Sequence, residues 1–90
     1  MKRELVILRG CVQGVYFRHT VLKIARNHAV AGTVRNLADS TLEIDVEGQQ
    51  ADLDAFIDDV LAHPPPAAIV ADVTREPRTP RGMRGFTCPD

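Results

Sequence analysis

The sequence has few of the residues on which several classes of protein depend. It has no tryptophan, its aromatic content is 4%, and two of its 90 residues are cysteines. Those cysteines, Cys11 and Cys88, form no CxxC pair, and the three histidines show no metal-ligand spacing. We therefore expect two reduced thiols, no bound metal and no other cofactor.

Membrane and nucleic-acid proteins also lack their usual signals here. No apolar run approaches the roughly 20 residues of a membrane-spanning helix, and residues 1–4 lead into a strand-like alternation rather than a signal peptide. The formal net charge of −1 argues against general nucleic-acid binding. RNA recognition on a sheet also requires exposed aromatic residues on the middle strands, and the third predicted strand has none. We expect a cytoplasmic protein without membrane or nucleic-acid partners.

The residues that are present are typical of one globular domain over residues 1–90, with 44% hydrophobic and 26% charged residues. Positive charge is concentrated in residues 1–38, which hold seven Lys or Arg residues and a single acidic residue, Glu4. Such a region would attract a small anion. Uneven surface decoration explains the same pattern equally well.

Hydrophobic periodicity predicts the order of helices and strands. Alternation predicts strands over residues 3–9, 30–36, 41–47 and 67–76, and helical spacing predicts helices over 17–29 and 51–62. Residues 86–88 could add a short edge strand. The order β-α-β-β-α-β predicts an α+β ferredoxin-like sandwich, in which two helices cover one face of an antiparallel sheet.

The alternation also assigns faces to two of these strands. In residues 41–47, the apolar side chains Leu42, Ile44 and Val46 face the core, and the acidic side chains Glu43, Asp45 and Glu47 face solvent. In residues 67–76, the side chains predicted to point inward are Ile69, Ala71 and Val73.

The most informative segment joins the first strand to the first helix and has the sequence Gly10-Cys11-Val12-Gln13-Gly14-Val15-Tyr16-Phe17-Arg18. Glycines let backbone N–H groups turn toward one point, and a helix N-terminus adds partial positive charge there. Arg18 carries a planar cation suited to phosphate, although a helix N-terminus disfavours cations. The residues alone favour an anion site and an ordinary turn about equally.

Asn36 ends the second predicted strand, where an asparagine usually serves a turn because it tolerates left-handed backbone. The alternative is a functional amide, which can hold a water molecule by donating and accepting hydrogen bonds together. In the predicted topology, the loop after the first strand and the end of the second can approach each other.

Together these motifs resemble the acylphosphatase family. The resemblance rests on the segment 9–18 with Gly32-Thr33-Val34-Arg35-Asn36, and it covers nearly the whole chain. It implies a small cytosolic hydrolase of acyl phosphates that needs no metal, and we expect a monomer. It also implies that Arg18 is the catalytic, phosphate-binding arginine and that Asn36 orients the water. The implied substrate-binding residues are Val12, Gln13, Gly14, Val15, Tyr16, Phe17 and Arg18.

The chain departs from the family pattern at three places. The family commonly has an aromatic residue at the position of Thr33, often has a glycine near Ser40, and usually ends in a Phe-x-Ile-x-Tyr strand, whereas this chain has Phe-Thr-Cys-Pro-Asp from Phe86. We expect these differences to affect stability and substrate fit more than catalysis.

The proposed chemistry needs no titrating side chain. The leaving group of an acyl phosphate is a carboxylate whose acid has a pKa near ~4, so it departs without protonation. An arginine and a neutral amide therefore suffice, because phosphoryl transfer depends mainly on positioning and charge stabilisation. We expect His19, which follows Arg18, to be a surface residue rather than a base.

Two alternatives remain open. One is a non-catalytic module that binds phosphate or another anion on the same topology. The other is the N-terminal carbamoyl-phosphate-handling domain of a hydrogenase maturation carbamoyltransferase, which residues 63–66 and 73–77 resemble. That domain usually has proline after Phe-Arg, where this chain has His19. A free-standing enzyme is therefore the preferred interpretation.

Overall fold

A computed structural model gives the structure of the protein and describes residues 1–89. The strands are β1 (Lys2–Cys11), β2 (Val30–Asn36), β3 (Leu42–Gly48), β4 (Ile69–Arg78) and β5 (Phe86–Thr87), and the helices are α1 (Phe17–Ala25) and α2 (Gln50–Ala62). The predicted α+β ferredoxin-like order is confirmed, and the short fifth strand is present at a sheet edge. Neither helix in residues 1–89 is long and apolar enough to cross a membrane.

The sheet has the strand order β4-β1-β3-β2-β5. The first four strands pair antiparallel, but β5 runs parallel to β2, with Gly32 opposite Phe86 and Thr33 opposite Thr87. The prediction of an antiparallel sheet is therefore wrong at this edge, and the sheet is mixed. The reason is that the chain does not form a hairpin after β4. Residues 79–85 instead cross to the far edge of the sheet, where β5 joins β2 in the same direction.

One apolar core lies between the sheet and the two helices. Its fully or almost fully buried side chains are Val6, Leu8, Val34, Leu42, Ile44 and Val46 from the sheet, Phe17, Val21 and Ala25 from α1, and Leu53, Phe56, Ile57 and Val60 from α2. The helix α1 ends at Ala25, four residues before the predicted end, because the N–H groups of Asn27 and His28 donate three residues back rather than four.

The sheet face away from the helices is less exposed than predicted. Asp45 and Glu47 are each 4% exposed, because residues 79–85 cover them on the way to β5. Both Asp45 carboxylate oxygens accept hydrogen bonds from Arg3 at 2.8 Å. The Glu47 carboxylate accepts the backbone N–H groups of residues 81–83 at 2.7–3.2 Å. These two acids fasten the crossing segment to the sheet.

The faces of β4 also differ from the prediction. Val73 is partly buried as predicted, but Ile69 is 66% exposed, Ala71 is exposed, and Val70 packs against the core instead. The pairing of β1 with β4 shifts by one residue next to Gly10, and such a bulge exchanges the two faces of a strand. Gly10 has φ 131, and a Cβ atom there would collide with the Ile69 carbonyl. The bulge therefore requires glycine.

Candidate active site

The backbone between β1 and α1 has an unusual conformation. Gly14 (φ 71) and Tyr16 (φ 62) both lie in the left-handed region. A positive φ is uncommon for an aromatic residue, and such strain clusters at ligand sites. Left-handed residues within a turn bring neighbouring N–H groups together, and this loop ends at the positive N-terminus of α1. The local geometry is suited to an anion.

The Gln13 side chain fixes this loop to the turn between β2 and β3. Its Nε2 donates to the Leu37 carbonyl at 2.8 Å and to the Thr41 carbonyl at 3.0 Å. Asn36 immediately precedes Leu37, so the same two hydrogen bonds hold the end of β2 beside the loop. Gln13, itself part of the motif, thus holds the loop after β1 close to Asn36 at the end of β2.

Arg18 lies in the first turn of α1, next to Phe17, which is 2% exposed in the core. The buried Phe17 side chain sets the rotation of the helix and leaves the half-buried Arg18 on its flank. The Arg18 guanidinium donates through Nη1 to Sγ of Cys88 at 3.6 Å. Cys88 directly follows β5, so the position of the parallel edge strand brings this contact to the arginine.

A cleft of about 550 Å³ opens between these elements, a size typical of small-molecule sites. The residues that line it are Val12, Gly14, Tyr16, Phe17, Arg18, His19, Leu22, Asn36 and Cys88. The predicted catalytic residues Arg18 and Asn36 therefore lie in one cleft, with most of the predicted binding residues. Two of those do not line it, because Gln13 reaches the β2–β3 turn and Val15 packs against the core.

The Asn36 side chain has a buried oxygen, Oδ1, without a hydrogen-bond partner among residues 1–89. Almost all buried polar atoms in folded proteins are paired, and an unpaired one costs about 1–3 kcal/mol. The other such atom in the described part of the chain, Thr33 Oγ1, does not belong to a residue that lines the cleft. Asn36, which lines the cleft that contains Arg18, thus carries an acceptor that no other described residue satisfies.

Part of the cleft wall was not predicted from the sequence. His19 is exposed as predicted, yet it lines the cleft, and so do Leu22 and Cys88. Leu22 could have been found because it lies four residues after Arg18, and such residues share a helix face. No sequence signal indicated Cys88, since its position depends on the parallel pairing of β5. Among residues 1–89, no cluster of three or more His, Cys, Asp or Glu residues is arranged to hold a metal ion.

The structure is thus a ferredoxin-like domain with an arginine and a buried amide in one cleft. Known proteins resemble this chain in sequence and in fold. The family model for acylphosphatase matches residues 5–88. An acylphosphatase of Thermotoga petrophila is 39% identical over 87 residues, which cover 97% of this chain and 96% of that protein. The chain belongs to the acylphosphatase family, as the sequence motifs implied. Members of this family are hydrolases that act on small acyl phosphates.

Solved structures agree with this assignment. The crystal structure of acylphosphatase from Bacillus subtilis has a TM-score of 0.91 at 32% identity, and the match covers 98% of both chains. Full-length HypF, crystallised in a phosphate- and nucleotide-bound form, contains a region with a TM-score of 0.91 at 30% identity. That match covers 97% of this chain but 11% of the HypF chain.

Proposed function

We propose that this cleft hydrolyses the carboxyl–phosphate bond of small acyl phosphates, with Arg18 and Asn36 as its catalytic residues. The observation that carries the proposal is that Asn36, whose buried Oδ1 has no partner among residues 1–89, lines the same cleft as Arg18. A cation suits the phosphoryl group, and a free amide acceptor suits the attacking water.

Substrate binding begins at the left-handed loop. Backbone N–H groups of residues 12–18 donate to the phosphoryl oxygens, and the N-terminus of α1 stabilises their negative charge. The planar guanidinium of Arg18 donates to two of these oxygens and neutralises charge that spreads over them in the transition state. The Phe17 side chain in the core holds the arginine in place.

Asn36 positions the nucleophile. Its Oδ1 accepts a hydrogen bond from the water, so the water turns a lone pair toward phosphorus. Such orientation removes much of the entropic cost of bringing two reactants together. The Gln13 hydrogen bonds to the β2–β3 turn keep Asn36 at a fixed distance from the loop.

The reaction then balances without a side-chain acid or base. The bond between phosphorus and the water oxygen forms as the bond between phosphorus and the carboxyl oxygen breaks. The acyl group leaves as a carboxylate, whose acid has a pKa near ~4, and the proton of the water passes to a phosphoryl oxygen of the substrate. The products are a carboxylate and inorganic phosphate.

We further propose that residues 1–90 act as one domain, as a monomer in the cytoplasm and without a cofactor. Support for the monomer comes from the cleft, whose walls are supplied by one chain. Support for the cytoplasmic location comes from Cys11 and Cys88, which form no disulfide, as is typical of proteins in a reducing environment.

The test is hydrolysis of benzoyl phosphate with EDTA present, for the wild type and for Arg18→Gln and Asn36→Ala. Each variant should lose about 10²–10³-fold in kcat/KM, whereas the exposed control changes Arg84→Gln and Asn27→Ala should leave it unchanged. Asn36→Ala should still bind inorganic phosphate in a titration, because its role is toward the water.

Three results would contradict the proposal. Absence of wild-type turnover together with phosphate binding would favour a non-catalytic anion-binding module. Turnover of carbamoyl phosphate alone would favour a carbamoyl-phosphate-handling domain. Full activity of Arg18→Gln would remove the arginine from the mechanism.

A further inference from the structure

A second cleft of about 310 Å³ adjoins the first, and Leu22 lines both. Its remaining walls are Ala25, Arg26, His28, Val30, Gly85 and Phe86. The two clefts together form a groove between α1 and the strand β5. The groove continues past the region that a phosphoryl group would occupy.

One row of α1 side chains forms a wall of this groove. Arg18, Leu22 and Arg26 are four residues apart, a spacing that places them on one helix face. Arg26 directly follows the last residue of α1 and keeps helical backbone angles (φ −65, ψ −19), so the row continues to it. With a rise of 1.5 Å per residue, the two arginine Cα atoms are separated by about 12 Å along the helix.

The opposite wall is apolar and fixed. Phe86 packs against Phe56 with ring centroids 5.5 Å apart. The carbonyl of Gly85 accepts the N–H of Gly32 at 2.8 Å, which ties the start of β5 to β2. A ligand in the groove therefore meets a cation, an apolar stretch and a second cation in succession.

The charges of the groove favour a ligand with two anionic ends. No aspartate or glutamate among residues 1–89 lines either cleft. His28 in the second cleft is hydrogen-bonded to Asp59 at 2.9 Å. Arg26 is exposed and has no ion pair within the described chain. Arg26 is thus the cation that the second cleft offers to a ligand.

We propose that the second cleft is a distal subsite for an anionic group at the far end of the acyl moiety. The phosphoryl group lies at residues 12–18, the apolar chain crosses Leu22, and a terminal carboxylate pairs with Arg26. The preferred substrates are therefore monophosphates of dicarboxylic acids. This inference rests on the proposed function, because it places the reacting phosphoryl group at Arg18.

The test compares the monophosphate of octanedioic acid with its methyl ester at the other end, which removes the distal charge at nearly constant length. In the wild type the acid should have a KM about threefold to fivefold lower than the ester, the effect of one partly exposed ion pair. Arg26→Gln should bring this ratio close to one. Arg26→Lys should retain most of it, and added salt should reduce it.

Lys23→Gln is the matched control, because Lys23 is an exposed cation on the same helix that lines neither cleft. The ratio should persist in this variant. An equal loss in Lys23→Gln and Arg26→Gln would indicate general charge attraction and overturn the subsite.

A wild-type ratio of one would also overturn it, and so would a ratio that Arg26→Gln leaves unchanged. Benzoyl phosphate hydrolysis, measured in the same series, separates the two proposals. If benzoyl phosphate is hydrolysed but the octanedioic acid monophosphate has no lower KM than its methyl ester, the subsite alone is wrong. If benzoyl phosphate is not hydrolysed either, both proposals fail.

Discussion

The carboxylates on the outer face of the sheet and the amide of Asn36 in the cleft differ in how their buried oxygens are paired. On the face away from the helices, the Asp45 carboxylate is held by Arg3 and the Glu47 carboxylate by backbone N–H groups of residues 81–83. On the helix side, Asn36 Oδ1 has no partner among residues 1–89 and Tyr16 has a left-handed backbone. The protein itself satisfies these two carboxylates, whereas the amide oxygen of Asn36, a residue that lines the cleft, is left without a partner among residues 1–89.

This difference separates stability from activity. Hydrogen bonds that the protein makes to itself stabilise the fold, whereas a polar group kept available for substrate lowers stability until substrate binds. Proteins commonly break local structural rules at functional sites for this reason. Changes in the cleft should therefore alter rates and spare stability, and changes on the other face should do the reverse.

The largest expected effect comes from Asn36→Ala, which removes the unpaired acceptor. The value of kcat/KM for benzoyl phosphate should fall by about 10²–10³-fold. The free energy of unfolding, measured by urea denaturation, should stay within about 1 kcal/mol of the wild-type value, because no internal hydrogen bond of Oδ1 is lost. If the loss of unfolding free energy were as large as the increase in activation free energy, Asn36 would be a structural residue. The contrast drawn between the cleft and the outer face of the sheet would then fail.

Glu47→Ala tests the opposite face. Its carboxylate is the acceptor for three successive backbone N–H groups, so the variant should lose about 2–3 kcal/mol of unfolding free energy. Below its unfolding temperature it should keep its kcat/KM. Glu43→Ala is the control, since Glu43 lies on the same strand face but makes an ion pair with the half-exposed Arg35 at 3.1 Å. That pair should contribute at most about 1 kcal/mol.

Acid pH should weaken the contact between the sheet and α2 through Glu4, which lies on the helix side of β1 and is hydrogen-bonded by Gln50 of α2. The hydrogen bond from Arg75 lowers the pKa of Glu4 against the effect of burial, and Gln50 adds a second hydrogen bond. A lowered pKa in the folded state stabilises the protein above the unfolded value near ~4.3, and this contribution is lost as pH falls through the folded value. Glu4→Gln should therefore be less stable at pH 7 and lose less stability than the wild type below pH ~4. Parallel losses in the two proteins would contradict this role.

Much of the fold follows from hydrophobic periodicity, because each helix and each long strand buries one face. The early end of α1 follows from local hydrogen bonds. The other failures share one physical cause, which is that contacts distant in sequence decide them. Alternation places Glu47 on the outer face but cannot show that residues 79–85 cover it. It cannot show that the bulge beside Gly10 exchanges the faces of Ile69 and Val70, or that β5 pairs in parallel with β2.

For the site, the motif identified Arg18 and Asn36 before the structure placed them in one cleft. What the motif could not give is the environment of each side chain. That Asn36 Oδ1 has no partner in the described part of the chain depends on all of its neighbours in space. The wall formed by Leu22 and Cys88 depends on how β5 meets α1. Local sequence supplies the candidate residues of the site, whereas the tertiary structure sets the shape of the cleft around them.

The smallest expected effect is at Ser40, in the turn between β2 and β3. Ser40 has φ 70, where a side chain costs about 1 kcal/mol or more relative to glycine. Part of the gain from Ser40→Gly is lost to the greater freedom of glycine in the unfolded chain, so the net stabilisation should be about 0.5 kcal/mol.

Ser40→Gly should leave the rate unchanged, because the carbonyls that hold Gln13 belong to Leu37 and Thr41, and the Asp39 carboxylate braces Thr41 through its N–H at 3.1 Å and its hydroxyl at 2.6 Å. Ser40→Ala is the matched control, since alanine keeps the Cβ atom and should give no stabilisation. Thermal denaturation of the three proteins, with benzoyl phosphate rates alongside, decides the point. Equal stabilisation by glycine and alanine would show that loss of the hydroxyl, rather than relief of the left-handed backbone, is responsible.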